Sequence, residues 1–193
     1  STQSNPSVSP TTSTTYYLQE IITSTSCIGY DTVIVTINAK PSTPTASNNG
    51  PLCTGATLNL TTATQSGTTY SWTGPNSFSS TQQNPSITNV TAVNAGTYSL
   101  TITQNGCSSS AGTTVVTINS RPTPSISGST SVCANTGSAY STTSNSGNSY
   151  TWTVSGGSIA SGQNTNSVLV NWGSAGSGSL KVVETNSSGC KDS

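Results

Sequence analysis

Along this chain apolar residues return at every second position. In residues 56–62, Leu58 and Leu60 alternate with polar neighbours; residues 68–73 carry Tyr70 and Trp72 in the same way, residues 96–103 carry Tyr98, Leu100 and Ile102, and residues 113–119 carry Val116 and Ile118. A period of two turns one side of an extended strand to a core and the other to water. Residues 86–90 predict a further short strand. Gln104-Asn105-Gly106 between two strands predicts a tight hairpin, because Asn-Gly readily takes the positive φ such turns need. No stretch repeats at helical spacing. Short strands every 8 to 12 residues, with Gly, Asn and Pro between them, predict an all-β sandwich of immunoglobulin-like type with about seven strands.

The pattern also repeats as a block. Val35-Thr36-Ile37-Asn38-Ala39-Lys40-Pro41 returns 81 positions later as Val116-Thr117-Ile118-Asn119-Ser120-Arg121-Pro122. Cys53 returns as Cys133 after 80 positions, Cys27 as Cys107 after 80, and Cys107 as Cys190 after 83. Tyr70-Ser71-Trp72 returns as Tyr150-Thr151-Trp152, each Trp 19 residues after its cysteine. Five landmarks in one register define a module of about 80 residues. Residues 1–40 then hold the last strands of one module, 41–120 a whole module, and 121–193 a module lacking its final strand. The Lys-Pro and Arg-Pro junctions are short and stiffened by proline, so the tandem modules are expected to form a semi-rigid, rod-like array.

Composition narrows the chemistry. Of 193 residues 76 are Ser or Thr, 18 are Asn and 18 are Gly, whereas only eight are charged, balanced four against four with no His. Disorder is not the reading, because β-branched and aromatic residues recur in alternating runs and net charge is zero. With no basic stripe, nucleic acid is excluded as a partner. No run of 18 apolar residues offers direct insertion into a membrane. Residues 41–120 contain no Asp, Glu, Lys, Arg or His. An autonomous domain there lacks the usual general acids and bases and hard-metal ligands, so an enzyme is not expected, nor is a cofactor or a metal. Ser1 is not an initiator and no leader follows it, so a mature chain or an excised piece is expected.

Five cysteines at repeated positions, without His or a CxxC pair, indicate disulfides in an oxidising compartment. The simplest pairing is within modules, Cys53 with Cys107 and Cys133 with Cys190, leaving Cys27 to a partner outside the chain. Each such loop would contribute roughly 4 kcal/mol by chain entropy. In an immunoglobulin-like order, however, Cys53 and Cys107 tend to sit at opposite poles. The rival is a bridge from one module to the next, Cys53 to Cys190.

Several segments together resemble a known repeat family. Pro51-Leu52-Cys53-Thr54-Gly55, Tyr70-Ser71-Trp72-Thr73-Gly74-Pro75, Ala95-Gly96-Thr97-Tyr98-Ser99-Leu100 and Asn105-Gly106-Cys107 resemble the Ig-like repeats of giant Bacteroidota cell-surface proteins, the gliding-motility adhesins among them. Tyr150-Thr151-Trp152, then Val168-Leu169-Val170-Asn171-Trp172-Gly173 and Gly189-Cys190, resemble their PKD-like variant, without the Asp-containing loop that names that family. The resemblance implies export by the type IX system and an extracellular place on the cell surface. Asp31-Thr32-Val33 fits the acceptor pattern of Bacteroidota O-glycosylation, with Asp192-Ser193 in a comparable place, and marks Thr32 as a glycosylation site.

The remaining aromatic motifs have structural readings. Trp72 and Trp152 could stack on sugars, but a Trp at fixed spacing on a central strand fills the core of such a sandwich. Tyr98, in Asn94-Ala95-Gly96-Thr97-Tyr98, fits a fold-stabilising tyrosine corner. The expected function is that of a non-catalytic stalk or filament shaft of a bacterial surface adhesin, whose partners are neighbouring repeats. The alternative is a glycan-binding or spacer module of a secreted polysaccharide-degrading enzyme, contacting surface glycans through a loop such as Gly74-Pro75-Asn76-Ser77-Phe78. Contacts with other copies are a further possibility.

Overall fold

The computed structural model describes residues 5–193. Among the described residues the regular elements are strands, with one 3-10 turn at Ala92–Asn94 and no α-helix. The chain opens with an antiparallel hairpin, β1 (Thr14–Ile22) and β2 (Cys27–Val35), in which Tyr16 faces Val33 across the pair. Both faces of this hairpin are largely open to solvent: Tyr17 is 80% exposed on one and Leu18 60% on the other.

The middle of the chain supplies β3 (Ser47–Asn48), β4 (Leu52–Cys53), β5 (Leu58–Thr61), β6 (Thr69–Gly74), β7 (Phe78–Ser80), β8 (Ser86–Ile87), β9 (Gly96–Gln104), β10 (Cys107–Ser108), β11 (Gly112–Val116) and β12 (Ile118–Asn119). One sheet runs β3-β5-β8, and the other runs β10-β9-β6-β7 with β11 also on β9. β12 lies parallel to β4. The two sheets close over a core of Leu58, Leu60, Trp72, Tyr98, Leu100 and Ile102, while Asn59, Thr61 and Thr97 between them face water. Alternation in sequence has become alternation in burial, as a sheet with one wet face requires. The Asn105-Gly106 turn takes φ of 49° and 79°, the left-handed region its residues favour.

The last part contributes β13 (Ser127–Gly128), β14 (Gly137–Ser141), β15 (Ser149–Ser155), β16 (Gly157–Ser161), β17 (Ser167–Trp172), β18 (Ser179–Thr185) and β19 (Lys191–Asp192). Its sheets are β13-β14-β17-β16 and β15-β18-β19, around a second core that includes Tyr150, Trp152, Val170 and Val182. Both units have the two-sheet arrangement of an immunoglobulin-like sandwich. They differ at one edge. In the middle unit the Pro75-Asn76-Ser77 turn folds β7 back beside β6, whereas β15 leads through Gly156, at φ 80°, to β16 on the opposite sheet.

The expected strand at residues 113–119 is divided in two. β11 pairs with β9, and after Thr117, whose carbonyl accepts from the Leu52 N–H at 3.0 Å, the chain moves to β4. Within residues 86–90 only Ser86–Ile87 pairs as a strand; Val90 is buried, its N–H bonded to the Ala56 carbonyl.

Candidate functional site at the junction of two sandwiches

The parallel pair β4·β12 sets Cys53 opposite Asn119, where the chain leaves the middle sandwich through Ser120, Arg121 and Pro122. The Thr54 N–H donates to the Asn119 carbonyl at 2.9 Å and extends the ladder by one step. From the other side comes the turn Asn186–Gly189, whose Asn186 Oδ1 accepts from the Cys190 N–H at 3.0 Å and whose Asn186 N–H donates to the Cys190 carbonyl at 2.9 Å. This turn presents Cys190, fully buried, against Cys53. The two are bonded, with Cα atoms 5.6 Å apart and 137 residues between them in sequence.

Arg121 ties both partners to the linker. Its Nε donates to the Thr54 carbonyl at 2.8 Å and its Nη1 to the Lys191 carbonyl at 2.7 Å. Asn186 Nδ2 donates to the Ser120 carbonyl at 2.9 Å. The linker is thus held by three side-chain bonds in addition to the bridge, and a charged donor on a carbonyl is worth about 1.5–3 kcal/mol where it is shielded from water. Arg121 is exposed, so the lower part of that range or less applies.

The within-module pairing of Cys53 with Cys107 and of Cys133 with Cys190 is corrected by this geometry. Cys107 begins β10, next to the Asn105-Gly106 turn at the pole that meets Asn38 and Lys40, and Cys133 lies exposed in the loop before β14; both are thiols, as is exposed Cys27. The ends of a sandwich lie a strand length apart, roughly 17–20 Å, far beyond the reach of a disulfide.

Trp72 is fully buried opposite Leu100, and its Nε1 donates to the Gln83 carbonyl at 3.1 Å. Trp152 repeats the arrangement opposite Val182, with Nε1 on the Thr165 carbonyl at 2.9 Å. Tyr98 is fully buried, packs edge-on to Phe78, and donates from its hydroxyl to the Asn94 carbonyl at 2.9 Å. Phe78, in the loop weighed for glycan contact, therefore turns inward. Thr32 is exposed on β2; its N–H donates to Asp31 Oδ1 at 2.7 Å, and Ser193 makes the same bond to Asp192 at 2.8 Å.

Burial raises the Tyr98 pKa above 10.0. The unfolded phenol then ionises first, so the fold loses stability as pH rises past about 10 and keeps it below. Tyr98→Phe should cost about 1–2 kcal/mol at neutral pH by leaving the Asn94 carbonyl without this donor, and should flatten part of the alkaline slope. Thermal melts of both proteins between pH 8 and about 11.5 check both.

Sequence reasoning missed two groups. Glu184 is 1% exposed, on β18 opposite Tyr150, and its Oε1 accepts from Asn145 Nδ2 at 2.8 Å and Asn148 Nδ2 at 2.6 Å. The signal was an Asn pair three apart in a turn, with a lone carboxylate where the middle unit has Ile102. Glu184→Ala should destabilise the third sandwich by about 1–3 kcal/mol, because a buried side chain and its two charge-assisted hydrogen bonds are lost, while exposed Asn145 and half-buried Asn148 can turn to water; urea unfolding followed by Trp fluorescence measures it. The Tyr70 and Tyr150 hydroxyls were also unforeseen: each accepts from the N–H five residues earlier, Gln65 at 3.1 Å and Asn145 at 2.9 Å, closing the turn before its strand.

An open groove of about 870 Å³ lies in the third unit between residues 129–134 and 173–178, with Trp172, Tyr140 and Leu180 along it. Val132–Cys133 corresponds by the repeat to β4, and Leu180 to Tyr98, because Val182 faces Trp152 as Leu100 faces Trp72. In the middle unit β11 and β12 run between the matching elements.

Two immunoglobulin-like sandwiches in one chain, with a disulfide between them, define a protein of extracellular type. Within it, residues 119–193 match the PKD-like domain family. No curated protein matches the sequence. Solved structures similar to the chain include murine CEACAM1b, 14% identical over 74% of this chain and 92% of that one with a TM-score of 0.38. The amphioxus IgVJ-C2 molecule is 20% identical over 54% of this chain and 60% of that one, TM-score 0.35. The chicken CNTN1 FN1–FN3 domains are 14% identical over 91% and 73%, TM-score 0.37.

Proposed function

We propose that this chain is a non-catalytic segment of a long extracellular repeat protein, serving as the stalk or filament shaft of a bacterial surface adhesin. The observation that carries the reading is the junction: Cys53–Cys190 and the two-sided grip of Arg121 restrain the angle between successive sandwiches, which a load-bearing shaft needs and a freely jointed spacer does not. The repeat motifs and the PKD-like match support the large cell-surface proteins of Bacteroidota, exported by the type IX system, as the setting. Its partners are then neighbouring repeats, with no nucleic acid and no direct insertion into membrane. The chemistry supports the absence of catalysis, since residues 41–120 hold no acid, base or imidazole.

Small-angle scattering of the oxidised chain tests the shaft. An elongated particle with little flexibility is expected, becoming measurably more flexible after reduction or in Arg121→Ala. A compact particle, or one whose flexibility ignores reduction, overturns the shaft; specific binding of an oligosaccharide to the unmodified chain would favour the glycan-binding alternative. Thr32 is proposed as an O-glycosylation site, because its side chain stays exposed while Asp31 engages only its N–H. A Thr32 peptide from native protein should be heavier than its sequence mass, and Asp31→Ala should abolish the excess.

A further inference from the structure

The first junction of the chain repeats the second, except that one sulfur has no partner. Asn38 corresponds to Asn119, Lys40 to Arg121 and Cys107 to Cys190 in the repeat. At the second junction the Cys190 sulfur lies 3.9 Å from the Asn119 carbonyl, and Asn119 is the residue paired with Cys53. At the first, the Cys107 sulfur lies 3.6 Å from the Asn38 carbonyl. Asn38 Nδ2 donates to the Asn105 carbonyl at 2.9 Å, and Lys40 Nζ to Ser110 Oγ at 3.2 Å, so the linker is gripped here too. The thiol is therefore set, relative to its linker, where the bonded sulfur is set in the next junction.

We propose that Cys107 is half of a second inter-module disulfide, whose other half is a cysteine on a strand of the preceding module lying parallel to Ile37-Asn38, as β4 lies parallel to β12. Cys133 is the complementary half. It occupies the place of Cys53, on the rim of the groove, and takes the last cysteine of the module that follows. The rule is directional: the first cysteine of each module joins the last cysteine of the next. Every junction then has two covalent connections, the peptide linker and the bridge. The inference rests on the reading of the chain as tandem modules, but it fixes a pairing that reading leaves open.

Formation is ordinary thiol–disulfide exchange. A small-molecule or enzyme disulfide oxidises one thiol to a mixed disulfide, releasing one carrier thiol; the facing thiolate attacks the protein sulfur and expels the second. Two protein thiols and one carrier disulfide become one protein disulfide and two carrier thiols or one dithiol.

The test is a chain in which a copy of residues 41–95 precedes Thr14, completing a module around β1 and β2, refolded in a glutathione redox buffer and mapped without reduction. The copied cysteine should be found linked to Cys107, and alkylation of Cys107 should fall at least tenfold, in molecules that also contain Cys53–Cys190. That second bridge reports folding within the same sample. A link between the copied cysteine and Cys27, or Cys107 still fully alkylated in molecules carrying Cys53–Cys190, overturns the rule. Should the extended chain fail to form Cys53–Cys190, mapping of the native secreted protein decides: Cys107 linked to a cysteine followed by Thr-Gly or Ala-Asn, as Cys53 and Cys133 are, supports it, and Cys107 reduced or joined to Cys133 overturns it. Scattering can still show a stiff shaft if this pairing fails, so the two readings fall separately.

Discussion

Trp72→Ala should unfold the middle sandwich and leave the third one standing. The side chain is fully buried opposite Leu100, and its Nε1 saturates the Gln83 carbonyl. Truncating a buried Trp costs about 3–5 kcal/mol through lost transfer energy and the cavity left behind, and the orphaned carbonyl adds to it. A unit of this size has a total stability toward the low end of the usual ~5–15 kcal/mol, so most of it would be gone. Because Trp152 sits in a separate core, its surroundings should be untouched. A melt followed by far-UV circular dichroism should show one transition lost or lowered by at least about 12 °C, and one retained. An unchanged profile would mean that Trp72 does not fill the core.

Gly112→Ala should be nearly as damaging, for a reason of space rather than burial of apolar area. A methyl group on Gly112 would fall on the Pro44 carbonyl oxygen, where the segment entering β3 crosses β11. Backbone cannot swing aside as a side chain can, so the cost should reach the upper part of the overpacking range, about 3 kcal/mol. Gly29→Ala is the control. Nothing lies within 4 Å of its added carbon, and the change should stay within about 0.5 kcal/mol. Urea midpoints of the two variants separate steric clash from general loss of glycine.

The period-two alternation was enough to locate β5, β6 and β9, and to mark residues 113–119 as extended though not their division into β11 and β12, because a strand with one wet face must write its orientation into every second residue. The repeat register was equally legible, since the same contacts recur wherever the same fold recurs. Edge elements were not. β7 has only three residues, too few for a period, and the parallel pairing of β4 with β12 joins residues 66 apart through backbone atoms that every sequence shares.

At the junction, the sequence showed a Pro-stiffened linker and cysteines in register, but left two pairings open. Deciding between them required knowing which pole of each sandwich meets its neighbour, a distance in space that sequence separation does not encode. Arg121 was legible only as a charge before a proline; its two carbonyl acceptors lie 67 and 70 residues away in sequence. Glu184 is the plainest case of the same limit. On a strand in a Ser- and Thr-rich chain a carboxylate belongs by sequence to the wet face, and only the fold brings the Asn145 and Asn148 amides to Oε1, so that the charge is held inside by hydrogen bonds instead of water. Local periodicity determined which segments are strands and which side of each is apolar, whereas pairing, bridging and the burial of that carboxylate were decided by tertiary structure, because each depends on groups that meet only after the sheets have packed.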